Sequence, residues 1–215
     1  MHEAAHWFMA ALLGVKLKFV LFFGLSLEAH YNCHGLKESV VALAGPLANL
    51  LLASFFTFCL PSSSAFVYEA NLLVALVNLL PILPLDGGRI LRGIFSKYIS
   101  WLKLTKILSS IGEFVACIIA CTAIYWAKNG AFWWLVFAAY IFYLSYKEKA
   151  KAPYVLIQAL ILGNNRGFGE RYFRLPSRTN LREAIYYMSP GWHNTVRVNG
   201  KNIEGRILIS NWLRY

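Results

Sequence analysis

Three of the first six residues, His2, Glu3 and His6, have types and spacing that could do hydrolytic chemistry. On a helix, His2 and His6 lie one turn apart on one face, and Glu3 sits about 100° round the axis from His2. Two neutral imidazoles so placed can hold Zn²⁺, while the carboxylate between them stays free to act as base on a metal-bound water. A third protein ligand must come from elsewhere. Asp86 is the only aspartate in the chain, at the end of the apolar, proline-broken run Asn78-Leu-Leu-Pro-Ile-Leu-Pro-Leu-Asp-Gly-Gly88. A lone carboxylate there is costly unless something pairs with it. Each motif also has a plainer reading, since such a histidine pair can arise by chance and Asp-Gly-Gly is a good turn sequence. Each supplies the ligand the other lacks, so His2, His6 and Asp86 are read jointly as metal ligands and Glu3 as the base.

Such a site needs elements to hold it, and composition says of what kind. The chain has 215 residues, 58% hydrophobic and 14% charged, where a soluble domain carries about a quarter charged. It reads as an α-helical polytopic membrane protein with about five remaining spans, the first one truncated, and a small α/β C-terminal tail domain. The formal charge of +11 does not argue for nucleic acid, because many of the basic residues sit between apolar spans rather than on a polar domain. Cys33, Cys59, Cys117 and Cys121 show neither a zinc-ribbon spacing nor a secreted disulfide framework, and read as small apolar residues.

Along the chain, residues 1 to 15 predict a helix too short to cross a core of about 30 Å, with His2 in a first turn that would fray. The sequence therefore leads us to expect further helix upstream, which an intact mass of the native protein tests. Residues 16–38 are too short in their apolar part to cross and predict a hairpin or re-entrant strand. His30, Cys33 and His34 in that stretch could bind a metal or be plain polar loop residues. Spans are expected over residues 39–60, 66–85, 107–127 and 131–146. The first of them carries Ala44-Gly-Pro-Leu-Ala-Asn49, with Gly45 suited to close helix contact and Asn49 to a bond across to another helix. Pro81 and Pro84 should leave irregular backbone before Asp86. Arg89, Arg92, Lys97, Lys103 and Lys106 read as a basic loop, and Glu113 as a snorkelling carboxylate.

The division expected is a membrane domain at 1–150, a linker at 151–174 and a tail at 175–215. In the tail, residues 179–185 predict a capped helix, 195–198 a strand, Asn199-Gly200 a turn and 206–209 a second strand. Placing the basic loops and the tail on one side leaves almost no Lys or Arg on the other, so that side is read as the cytoplasm and the protein as an integral, multi-pass membrane protein.

On His2-Glu-Ala-Ala-His6, Ala44-Gly-Pro-Leu-Ala-Asn49 and the run from Asn78 to Gly88, over about residues 1–150, the sequence resembles the site-2 protease family of intramembrane zinc metalloproteases. Within it, the resemblance is to the stage IV sporulation protein FB type. It implies one Zn²⁺ on His2, His6 and Asp86, Glu3 as catalytic base, and Asn78 as a substrate or oxyanion-side contact. It also implies cleavage of a membrane protein or membrane-tethered precursor in the bilayer, in the sporulation branch an inactive sigma-factor precursor, and membrane inhibitor proteins as further partners. Phe23-Gly24-Leu25 lacks the fuller Pro-Phe-Gly-Gly of the branch's hairpin. The tail resembles one partial CBS repeat, a module that often senses adenine nucleotides in pairs. The competing reading is an N-terminally truncated, inactive relative that binds membrane partners without cutting them.

Overall fold

The computed structural model describes residues 1–15, 17–22, 26–31, 34–59, 65–125, 131–162, 170–174, 181–198, 201–205, 207 and 209. They fall into two compact units. One comprises Met1–Pro81 with Leu85–Ile94, the other Ile82–Pro84 with Phe95–Tyr215. The chain is mostly helical, and two stretches, Leu36–Thr57 and Trp101–Tyr125, are long and apolar enough to cross a membrane.

The first unit begins with α1 (His2–Leu12), of 11 residues, about 16 Å long and so unable to span alone. It stops at Leu13 and Gly14, whose positive φ of 63° reverses the chain. Strands β1 (Leu17–Phe22) and β2 (Ser26–Tyr31) then pair antiparallel, Leu17 opposite Tyr31 and Phe22 opposite Ser26. This is the expected hairpin, and its ladder satisfies backbone that the short apolar run could not satisfy as a spanning helix. The side chains of His30 and Cys33 lie outside the described residues.

Helix α2 (Leu36–Cys59) continues through Pro46. It packs on α1, where Ala10 and Val41 are buried together against Met9, Leu13 and Val15, and on α3 (Ala65–Asn78). α3 ends earlier than the sequence suggests, at Asn78, and residues 79–85 are turns and bends around Pro81 and Pro84, as the missing N–H groups require. Gly87 then comes so close to the α3 end that an added Cβ would overlap the carbonyl oxygens of Leu79 and Leu80.

The basic stretch from Arg89 is where the structure departs most from expectation in this unit. Instead of a loop it opens as α4 (Asp86–Phe95). Three contacts fasten α4 to the start of α2. Ser39 Oγ donates to the Ile90 carbonyl at 2.8 Å, Arg92 Nε donates to Glu38 Oε1 at 3.0 Å, and Gly93 leaves no room for a Cβ beside Ser39 Oγ. Arg92 is thus buried with its partner rather than displayed to lipid headgroups. A charge count cannot see this, because a carboxylate 54 residues away neutralises the arginine.

In the second unit α5 (Trp101–Tyr125) and α6 (Ala131–Leu162) run antiparallel. Gly112 faces Ser145 so closely that a Cβ would overlap its hydroxyl, and Lys149 Nζ reaches Glu113 Oε2 at 2.8 Å. Glu113, expected to snorkel, has instead an ion partner on the next helix. Much of α5 and of the start of α6 is apolar and exposed, with Phe114, Ile118, Trp133 and Trp134 among these residues, which suits lipid as solvent and Trp at the interface.

α6 runs on through Pro153 to Leu162, well into the stretch read from sequence as linker. The reason is tertiary. Ala152, Leu156 and Leu160 join Trp101 and Leu102 in a buried cluster with Ala184, Ile185, Met188 and Val196, which outweighs the hydrogen bond lost at one proline. Strand β3 (Glu170–Arg174), also inside the expected linker, pairs parallel with β4 (His193–Val198), and β4 pairs antiparallel with β5 (Lys201–Glu204), giving the order β3-β4-β5. The second tail strand is therefore at 201–204 rather than 206–209. The register sets Val198 opposite Lys201, so the partner strand starts there. Asn199 and Gly200 themselves, and the capping residues expected before α7 (Leu181–Ala184), lie outside the described residues. Arg171 of β3 donates to the carbonyls of Lys97, at 3.0 Å, and Tyr187, at 2.6 Å; burial lowers its pKa to about 10, so it stays charged at neutral pH.

Candidate metal centre

Three elements of the first unit, α1, α2 and α4, meet at the start of α1. His2 and His6 project from one face of α1, and Asp86 arrives as the first residue of α4, fixed there by the Gly87 contact below it and the Ser39 and Glu38 contacts beyond it. His2 Nε2 lies 3.0 Å and His6 Nε2 3.3 Å from the same Asp86 oxygen, Oδ2. The two ring nitrogens are 3.2 Å apart, and the candidate ligand atoms of the three residues all lie within 4.8 Å of one another. The site is sunk in protein, with side-chain exposures of 17% for His2, 3% for His6 and 8% for Asp86.

The donors fit a cation better than they fit one another. Asp86 Oδ2 is buried and makes no hydrogen bond among the described residues, although two imidazole nitrogens are within ion-pair distance. His6 Nδ1 is 2.7 Å from the Val41 carbonyl. A carbonyl only accepts, so Nδ1 carries the proton of the neutral ring and Nε2 presents its lone pair. Two imidazole nitrogens and one carboxylate oxygen, with a fourth position left open, form a set that zinc accepts in hydrolytic sites. A metal at their centre relieves the mutual repulsion of lone pairs that otherwise crowd together in low dielectric.

Of the residues singled out from sequence, His2, His6 and Asp86 are brought together, and Glu3 is exposed in the first turn of α1 next to His2. Asn78 stands on the last turn of α3, where its amide donates back to the Val74 carbonyl at 3.0 Å. No contact between Asn78 and the histidines is seen among the described residues. Three participants were not singled out as site residues. Gly45 packs against both imidazoles, an added Cβ overlapping His6 Nε2 and falling 2.7 Å from His2 Cε1. The Val41 carbonyl holds His6, and Asn49, expected only to bond across to some helix, has its amide nitrogen Nδ2 3.2 Å from His2 Nδ1. The two small-residue and amide positions carry a sequence signal in Ala44-Gly-Pro-Leu-Ala-Asn49; the Val41 carbonyl carries none, because every residue has one.

A helical protein with apolar, membrane-length helices and a buried two-histidine, one-carboxylate cluster has the build of a membrane metallohydrolase. Residues 62–119 match the family model for Peptidase family M50. The chain is 34% identical over 131 residues to a zinc metalloprotease of Methanocaldococcus jannaschii, covering 55% of this chain and 38% of that protein. It is 27% identical over 201 residues to stage IV sporulation protein FB of Bacillus subtilis, covering 87% of this chain and 68% of that protein. The solved site-2 protease from Methanocaldococcus jannaschii superposes with a TM-score of 0.56 at 27% identity, over 69% of this chain and 72% of that one. The similarity is thus to peptidase family M50 over residues 62–119, and in fold to a site-2 protease. It spans well under half the length of the archaeal relative.

Proposed function

We propose that this chain is a zinc-dependent endopeptidase that cuts membrane proteins or membrane-tethered precursors within or beside the bilayer. The observation that carries the reading is the convergence of His2 Nε2, His6 Nε2 and Asp86 Oδ2 in one largely buried cluster of a protein with membrane-length helices. His2, His6 and Asp86 would hold one zinc ion, which supplies Lewis-acid polarisation of a scissile carbonyl and acidification of water when bound. Glu3 takes a proton from the attacking water and returns it to the leaving amine. Its carboxylate is one residue from a ligand yet exposed, which fits a group that exchanges protons rather than one that holds a metal. Asn78, at the end of α3 just before the broken segment, meets the opened substrate backbone by exchanging its bond to Val74 for one to substrate.

A substrate helix has its carbonyls engaged and must unwind before it can be cut, and the irregular backbone of 79–85, which belongs to no helix or strand, is the segment we assign to pairing with the unwound strand. About five spans with a cytoplasmic tail complete the arrangement, and the likeness to stage IV sporulation protein FB supports a tethered sigma-factor precursor as substrate. The non-cutting alternative turns on whether His2 is held, and its place in α1 with its ring against Asn49 favours cutting.

Zinc per chain in detergent-purified protein tests the centre. About one zinc, lost in Asp86→Asn, is the expected result; no zinc in the unaltered protein overturns the proposal. Co-expression with a membrane-tethered sigma precursor then tests the substrate, Glu3→Gln serving as the uncut control.

A further inference from the structure

We infer that Asn49 is a positioning residue for the zinc centre, its side-chain oxygen accepting the Nδ1 proton of His2 so that Nε2 keeps its lone pair turned towards Asp86. The inference rests on the zinc reading above and goes beyond it to a residue that touches neither metal nor substrate.

α1 and α2 lie against each other with a matched repeat. Along α2, Val41, Gly45 and Asn49 recur every four residues, one turn apart on one face; along α1, His6 and His2 are likewise one turn apart. The helices run in opposite senses, so His6 meets Val41, Gly45 meets both rings, and His2 meets Asn49. Each imidazole is thereby gripped through Nδ1 from the same neighbouring helix. For His6 the grip is a backbone carbonyl, which can only accept. For His2 it is the side-chain amide of Asn49, 3% exposed, with its nitrogen Nδ2 placed 3.2 Å from Nδ1.

Turning that amide by about 180° exchanges Nδ2 for Oδ1 with almost no change in shape, and the zinc-holding form requires this turned orientation. Only the oxygen-facing orientation leaves the neutral His2 ring protonated at Nδ1 and bearing its lone pair at Nε2. That nitrogen is the one 3.0 Å from Asp86 Oδ2 and 3.2 Å from His6 Nε2. Presenting the amide nitrogen instead would push the proton onto Nε2, into the space where a metal must sit. His2 needs such an external grip more than His6 does. It is the first residue of its helix, and Met1 before it makes no side-chain capping bond, so α1 alone does little to fix the ring.

The test is zinc affinity of the full chain in detergent, by competition with a chelating dye, in the unaltered protein, Asn49→Leu and Asn49→Asp. Leucine fills a similar volume without an acceptor, and aspartate accepts but cannot donate. Affinity should fall about 10- to 100-fold in Asn49→Leu and stay within a few-fold of the unaltered protein in Asn49→Asp. Unchanged affinity in Asn49→Leu overturns the inference, and so does equal loss in both variants, the pattern of a side chain that only packs. A measurement that needs no variant guards against misfolding: the ¹⁵N shifts of the His2 ring in the zinc-loaded protein should mark Nδ1 as the protonated nitrogen, and protonated Nε2 overturns the inference. Should the unaltered protein bind no zinc, the zinc reading fails and this one with it. If it binds zinc as tightly as Asn49→Leu does, Asn49 alone is wrongly assigned.

Discussion

Glu3 and Gly45 both stand beside the histidine pair, and under the proposed function they serve it differently, Glu3 by what it carries and Gly45 by what it lacks. Replacing Glu3 by Gln keeps the side chain's size and removes its proton affinity. Zinc content should be unchanged while turnover of a tethered substrate falls about 10²- to 10⁴-fold, a separation that parallel metal and cleavage assays would show. Gly45→Ala should do the reverse. Its methyl group would overlap His6 Nε2 and crowd His2 Cε1, so zinc content should drop and cleavage with it, and normal zinc loading in that variant would mean the α1–α2 approach is looser than the structure has it. The histidine pair was legible because one helical turn is fixed by backbone geometry. That an absent side chain matters equally became clear only when the opposite helix was in place.

At the scale of elements, α4 is the lever that delivers Asp86. Its attachment to the start of α2 runs through Glu38 and Arg92, a buried pair that sequence reading scattered between a polar loop and a basic one. Removing one partner strands a charge, so Glu38→Ala should destabilise the first unit by about 3–5 kcal/mol, seen as a lower midpoint in thermal unfolding, and should also release zinc by loosening α4. α6 teaches a related lesson. Pro153 and the polar residues after Lys147 signal an end to the helix, yet burial of Leu156 and its neighbours keeps it going to Leu162. Leu156→Ala should cost about 2–5 kcal/mol and speed amide exchange in β3 and β4. Faster exchange confined to α6 would mean the strands do not depend on that cluster.

For the whole molecule, zinc held as proposed would couple the centre to stability. Three ligands on α1 and α4 are far apart in the unfolded chain, so a metal that binds only the folded arrangement stabilises it by RT ln(1 + [Zn]/Kd), about 2.7 kcal/mol at 100 times Kd. Chelation should therefore lower the unfolding temperature of the unaltered protein and leave that of Asp86→Asn where it is. An equal drop in both would trace the effect to something other than this site. The exposed apolar surface of α5 carries a second expectation at this scale, that the protein stays with the membrane pellet through alkaline carbonate washing.

What the sequence determined by itself is what short-range geometry and solvent chemistry dictate. His2, Glu3 and His6 are four residues or fewer apart, apolar length and composition call for a bilayer, and prolines at 81 and 84 must break a helix ahead of Asp86. Tertiary structure alone decided which distant groups meet. Asp86 reaches two imidazoles 80 or more residues earlier, Asn49 and the Val41 carbonyl grip their rings, and Arg92 finds Glu38. Such pairings depend on how helices pack, and packing is set by the summed burial of many side chains. No local pattern records it.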